Sequence, residues 1–117
     1  MSTILVVDDD KNLRRLYQAE LEAEGYQVIL AENGRQALEL AASNAPDLVV
    51  MDIKMPEMDG LEAMGRLLQD RIGRPVILNS AYSSFQENFL AWAAEGYIIK
   101  SSDLTPLKER IRAALQD

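Results

Sequence analysis

Short runs of β-branched and apolar residues alternate with amphipathic stretches along the whole chain. Ile4-Leu5-Val6-Val7 is apolar at every position, the pattern of a strand covered on both faces. Behind it, Leu13, Leu16, Tyr17 and Leu21 recur at helical spacing, and Gly25 ends that segment. Gln27 to Ala31 predicts a second, weaker strand, and Ala37, Leu38 and Ala41 a short helix entered through Asn33-Gly34 and closed by Pro46. Leu48 to Met51 reads as the third strand, Leu61, Met64 and Leu68 as the third helix, and Val76-Ile77-Leu78 as the fourth strand. Phe85, Phe89 and Trp92 mark a fourth helix and Tyr97-Ile98-Ile99 a fifth strand. Leu104, Leu107, Ile111 and Leu115 give the last helix, with Pro106 tolerated in its first turn, where amides lack intrahelical partners. Five strands alternating with five helices predict an α/β fold, a parallel sheet covered on both faces by its crossover helices.

Composition narrows what such a sheet can do. A chain of 117 residues is the size of one domain, and 48% hydrophobic with 26% charged residues is the balance of a globular protein with a real core. Twelve basic against nineteen acidic residues leave a net charge of −7, which repels phosphate backbones and anionic lipid, so direct nucleic-acid and membrane binding are not expected. With no cysteine there are no disulfides, thiolate nucleophiles or zinc-thiolate sites. With no histidine the commonest general base is also missing, so chemistry must run on carboxylates, lysine, hydroxyls and a borrowed metal. The N-terminus has no basic residue before its apolar run and no stretch is long enough to span a bilayer; a cytoplasmic location is the expectation.

Parallel sheets of this kind bind ligands outside the carboxyl ends of their strands. Asp8, Asp9 and Asp10 follow the first strand, Asp52 the third, Asn79 and Ser80 the fourth, and Lys100 the fifth. If strands one and three are neighbours, three carboxylates converge, and a divalent cation relieves their repulsion. Oxygen-only ligands point to a hard ion, and Mg²⁺ in particular is held by one or two carboxylates plus water and phosphate oxygens. A carboxylate beside Mg²⁺, faced by an ammonium and a hydroxyl, suits phosphoryl transfer. Asp10 reads as an N-cap for the helix behind it. Asp8-x-Asp10-x-Asn12 begins like a calcium loop, but Leu13 stands where Gly is needed and Ala19 where a bidentate Glu must sit. No glycine-rich nucleotide cradle is present, and the Phe85, Phe89, Trp92 stripe reads as core.

The blocks ILVVDDD at 4–10, ENGRQAL at 32–38, PDLVVMDIKMPEMDGLE at 46–62, PVILNSAYS at 75–83 and GYIIKS at 96–101 resemble the receiver domain of bacterial two-component response regulators over essentially the whole length. The resemblance implies a flavodoxin-like, doubly wound sheet of order 2-1-3-4-5 with five helices, and residues 1–117 as one receiver domain. It implies that Asp52 accepts a phosphoryl group from the phosphohistidine of a sensor histidine kinase or histidine phosphotransfer protein. Asp9 would bind Mg²⁺ directly and Asp8 through water, with Asp52 and the backbone carbonyl of Lys54 as further ligands. Lys100 would pair with the phosphoryl oxygens, Ser80 would close over them, and Tyr97 would follow inward as the switch aromatic. The protein would catalyse only its own phosphorylation and dephosphorylation, hand the signal to an unidentified target, and dimerise, if at all, through the face formed by the fourth helix, fifth strand and fifth helix. Met55-Pro56 and Asp59-Gly60 match the family's turn after strand three and are assigned no chemistry.

Three positions depart from the family pattern. Ser101 stands where a proline, often in a cis peptide, usually follows the lysine; a cis bond before a non-proline residue costs about 2.5–4 kcal/mol, so Lys100 is expected to be aimed differently. Ser102 replaces the usual aromatic, and the stretch from Ser80 to Lys100 is about two residues tighter than typical. The favoured reading is a stand-alone phosphorylatable receiver; the alternative is a receiver-like interaction module that works without phosphorylation. Lys54 and Tyr82, two positions beyond Asp52 and Ser80, are expected to cover the approach of water and make the phosphorylated form decay slowly.

Overall fold

The computed structural model describes residues 2–55, 58–69, 74–81 and 94–116. The apolar runs become β1 (Thr3–Val7), β2 (Gln27–Ala31), β3 (Leu48–Met51), β4 (Val76–Ser80) and β5 (Gly96–Ile99). They pair in parallel in the order β2-β1-β3-β4-β5, the expected doubly wound arrangement. The helices among the described residues are α1 (Lys11–Ala23), α2 (Gly34–Asn44), α3 (Gly60–Gln69) and α4 (Thr105–Leu115). The fourth helix expected around Phe85, Phe89 and Trp92 lies outside the described residues.

Strand alternation sorts the core into two layers. Leu5, Val7, Val49, Met51 and Leu78 point to one face, where they meet Ala37 and Ala41 of α2 and Leu61, Met64 and Leu67 of α3. Ile4, Val6, Leu48, Val50 and Ile77 point to the other, against Tyr17 and Leu21 of α1 and Leu107 and Ile111 of α4. Burial on both faces explains why β1 and β3 read as unbroken apolar runs. Two further ties hold α4 to α1 at the surface, Lys108 to Glu20 at 2.8 Å and Arg112 to Glu24 at 3.2 Å; exposed pairs of this kind contribute less than about 1 kcal/mol each.

Local chemistry starts and stops the helices. The Asp10 carboxylate accepts the Asn12 and Leu13 amides at 2.9 and 3.2 Å, the N-cap that the sequence predicts. Asn33 accepts the Gln36 amide at the start of α2, and Asp59 that of Glu62 at the start of α3. Gly25, at φ +96°, turns the chain out of α1 in a conformation that side chains resist. Three expectations need correction. β4 runs on through Asn79 and Ser80, which the sequence places after the strand, because both fit the ladder and are buried. Leu16, assigned to the apolar stripe of α1, is 42% exposed, because Leu13, Tyr17 and Leu21 already face the sheet. Leu104 caps α4 rather than lying in it.

Ala45 ends α2 in the left-handed conformation, φ 45°. That costs a residue with a Cβ about 1–2 kcal/mol, against the roughly 0.4–1 kcal/mol by which glycine loosens the unfolded chain. Ala45→Gly is therefore expected to stabilise the protein by about 0.5–1 kcal/mol in urea unfolding; a loss of stability would contradict the strain assigned to this turn.

Candidate functional site

Because β1 and β3 are direct neighbours, the residues that leave their carboxyl ends meet. Carboxylate oxygens of Asp8, Asp9 and Asp52 all lie within 4.8 Å of one another, with Asp8 and Asp52 buried and Asp9 exposed. Lys100, arriving from the end of β5, reaches across β4 into this cluster. Its Nζ lies 2.8 Å from Asp8 Oδ2 and 3.2 Å from Asp52 Oδ2, on a side chain only 17% exposed. The remaining oxygens are engaged by backbone: Asp8 Oδ1 accepts the Asp10 amide at 2.9 Å, and Asp52 Oδ1 accepts the Ile53 amide at 2.8 Å.

Among the described residues one ammonium stands against three carboxylates in this cluster. Burial pushes Asp52 above the ordinary aspartate range; the Lys100 charge opposes this, the Asp8 charge adds to it, and hydrogen bonds from Lys100 and the Ile53 amide oppose it. Burial by itself would pull the Lys100 ammonium down, but the hydrogen bond and charge of Asp8, then the charge and hydrogen bond of Asp52, outweigh it and hold Lys100 above the ordinary lysine value. An all-oxygen donor set with surplus negative charge fits a hard divalent cation such as Mg²⁺.

The departure at Ser101 does not displace the lysine. The described residues contain no cis peptide bond, so Lys100-Ser101 is trans, and Lys100 still reaches both carboxylates. The loop is shaped instead by side-chain acceptors: Ser101 Oγ accepts the Asp103 amide at 3.1 Å, and Asp103 Oδ1 accepts that of Thr105 at 3.0 Å, at the start of α4.

Ser80 is fully buried at the end of β4, and its carbonyl accepts the Lys100 amide at 2.7 Å. Tyr97 packs half-buried on the layer that also holds Leu78, its register partner. By alternation Ser80 shares that sheet face, so the two residues are neighbours on one surface. Lys54 lies exposed two residues beyond Asp52. Tyr82 and Pro56 lie outside the described residues.

Asn79, grouped by the sequence with the strand-end residues, turns to the other layer, where its Nδ2 donates to Tyr17 Oη at 3.0 Å. Tyr17, read as plain core, thus carries a buried hydroxyl beneath the site. Burial raises its pKa, opposed by the Asn79 bond and the Lys100 charge, with Asp8 and Asp52 adding to the rise. A tyrosine and an asparagine in two otherwise apolar stripes were the available signal. Gly60, assigned no chemistry, has a steric role. Its amide donates to the Ile53 carbonyl at 2.8 Å, and an added Cβ would overlap the Asp52 carbonyl oxygen and lie 2.8 Å from its carbon, so only glycine lets this turn close against the backbone of Asp52.

A folded pKa above the unfolded one means that the fold prefers protonated Asp52. The stability it contributes is complete below the unfolded value and is lost as the pH rises through the folded one. In metal-free buffer Asp52→Asn, permanently uncharged, is expected to be more stable than the wild type at pH 7. The difference should shrink as the pH falls toward the ordinary aspartate value of 3.8. Urea unfolding across this range checks it; a destabilised variant at pH 7, or a difference independent of pH, would contradict the electrostatic reading.

Comparison with known proteins matches residues 4–112 to the response regulator receiver domain model. Regulatory protein AtoC of Escherichia coli is 40% identical over 118 residues, covering 99% of this chain and 26% of that protein. Response regulator MprA of Mycolicibacterium vanbaalenii is 41% identical over 115 residues, covering 97% and 50%. The chain therefore spans between about a quarter and a half of the length of these curated relatives. Among solved structures, the response regulator TrrA of Thermotoga maritima in complex with Mg²⁺–BeF superposes with a TM-score of 0.95 at 42% identity, over 98% of this chain and 100% of that one. TrrA in complex with the histidine kinase ThkA gives 0.92 at 41%, over 99% and 100%.

Proposed function

The chain belongs to the response regulator receiver domain family, and on that footing we propose that Asp52 accepts a phosphoryl group from the phosphohistidine of a partner protein, in a reaction that depends on Mg²⁺. The observation that carries the proposal is the Lys100 ammonium set between Asp8 and Asp52 at the carboxyl ends of β1, β3 and β5. An Asp52 oxygen attacks phosphorus in line, the O–P bond forms as the P–N bond breaks, and the electron pair of that bond returns to the donor's imidazole. The product is a mixed anhydride, which water hydrolyses to inorganic phosphate.

Asp8, Asp9 and Asp52, with the Lys54 carbonyl, would hold Mg²⁺, which when bound neutralises charge on the phosphoryl oxygens. Lys100 already lies beside the Asp52 carboxylate and transfers its hydrogen bonds to those oxygens, an interaction stronger than a neutral one. Ser80 donates its hydroxyl to the phosphoryl group, and Tyr97, on the same sheet face, turns inward as Ser80 moves. A contact made in only one of two states is what shifts such an equilibrium. The donor is a sensor histidine kinase or histidine phosphotransfer protein, supported by the TrrA–ThkA complex. The module acts in the cytoplasm as a switch or relay, and no helix among the described residues is long and apolar enough to cross a membrane. An interaction module that dispenses with phosphorylation has no need of three clustered carboxylates that outnumber their ammonium, and that surplus weighs against it.

Incubation with a small acyl-phosphate donor and Mg²⁺, followed by intact mass and hydroxylamine treatment, tests the assignment. The wild type is expected to gain one hydroxylamine-labile phosphoryl group only when Mg²⁺ is present, and Asp52→Asn none. Labelling of Asp52→Asn at the wild-type rate would overturn it.

A further inference from the structure

Every polar group of Asp8 is engaged. Its amide donates to the Ala31 carbonyl at 3.1 Å, Oδ1 accepts the Asp10 amide, Oδ2 meets Lys100, and its carbonyl accepts Arg14 Nη1 at 2.7 Å. The last of these belongs to no strand ladder or cap. Arg14 sits in the first turns of α1 with its side chain only 14% exposed, so the guanidinium is held in one place. Its other terminal nitrogen lies 3.8 Å from Glu32, which follows β2 and whose amide donates to Gln36 Oε1 at 2.7 Å. Arg14 thereby joins the loop after β1 to the loop after β2.

Asp9 stands in the opposite condition. It is exposed, and its carboxylate takes no hydrogen bond among the described residues, so within that set it is oriented through its backbone. That backbone begins with the Asp8–Asp9 peptide, whose oxygen is the atom Arg14 holds. We propose that Arg14 is a positioning residue for divalent-cation binding: by fixing the plane of the Asp8–Asp9 peptide it aims the Asp9 carboxylate at the other two. This rests on the receiver reading of the site.

A rival role, screening the acidic cluster with a positive charge, has the opposite sign. Removing a cation beside three carboxylates strengthens their attraction for Mg²⁺, whereas removing a clamp weakens it. Groups that orient metal ligands from behind are worth about 10–100-fold in metal affinity, so the two effects separate clearly.

The experiment is calorimetric titration of the metal-free protein with Mg²⁺, for the wild type, Arg14→Met and Arg14→Lys, with thermal melts in chelator alongside. Arg14→Met is expected to bind Mg²⁺ about tenfold more weakly, and Arg14→Lys, which keeps one donor within reach of the carbonyl, to recover most of that loss. Unchanged or tighter binding by Arg14→Met overturns the proposal, as does a lowered melting temperature with an unaltered Mg²⁺ affinity, the mark of a merely structural arginine. If Arg14→Met does not fold, Arg14→Gln, whose amide is too short to span both loops, is held to the same outcomes. Acyl-phosphate labelling of the wild type keeps the two readings apart. A wild type that is labelled with Mg²⁺ while the variants bind the ion normally loses only the role of Arg14; a wild type that neither binds Mg²⁺ nor takes the label loses the receiver reading and this proposal with it.

Discussion

The rest of the site depends on one ammonium group. Asp8 and Asp52 leave adjacent strands and are buried side by side, an arrangement that neither would tolerate ionised and alone. Lys100 makes it possible by lying within hydrogen-bond reach of both. Such an arrangement is not a source of net stability, since desolvating the charges offsets much of their attraction, but removing its lysine would leave two buried carboxylates facing each other without a cation, at a cost of about 3–5 kcal/mol. Burial, with the neighbouring Asp8, pushes Asp52 above the ordinary aspartate range against the pull of the single cation. With one ammonium against three carboxylates the site carries surplus negative charge, which a divalent cation would neutralise.

The two-layered core keeps that surplus from being relieved by movement. Val7 and Met51, the last residues of β1 and β3, are buried and in register, and the Asp52 amide donates to the Val7 carbonyl at 2.9 Å. The turn through Gly60 presses on the Asp52 backbone from the far side. The backbones that carry the Asp8 and Asp52 carboxylates cannot separate without breaking strand pairing, so the two groups stay close.

Much of this was legible in the sequence because it is local. A strand buried on both faces writes itself as an unbroken apolar run, and β2 and β3 have the predicted bounds. The candidate site sits at strand ends, where a polar residue after such a run is conspicuous; Asp8, Asp9, Asp52, Ser80 and Lys100 were singled out that way, and the structure brings the three carboxylates and the lysine together. What escaped depends on contacts that sequence spacing does not encode. Asn79 and Tyr17 are 62 positions apart, and their bond exists only because the fold brings both side chains to the same layer of the core. Arg14 went unremarked in the sequence, although it reaches back six residues to a backbone oxygen. Leu16 shows the converse, an apolar residue at helical spacing that has no place left on the buried face.

The central claim is that Lys100 and the buried carboxylates act as one coupled unit, and a double-mutant cycle in metal-free buffer tests it most directly. Lys100→Met and Asp8→Asn remove the two charges at nearly constant volume, and Asn keeps the acceptor for the Asp10 amide. Urea unfolding of the four proteins should give a coupling energy of about 1–3 kcal/mol, in the range of contacting charged groups. A value within about 0.5 kcal/mol of zero, the limit of additivity for independent sites, would contradict the account.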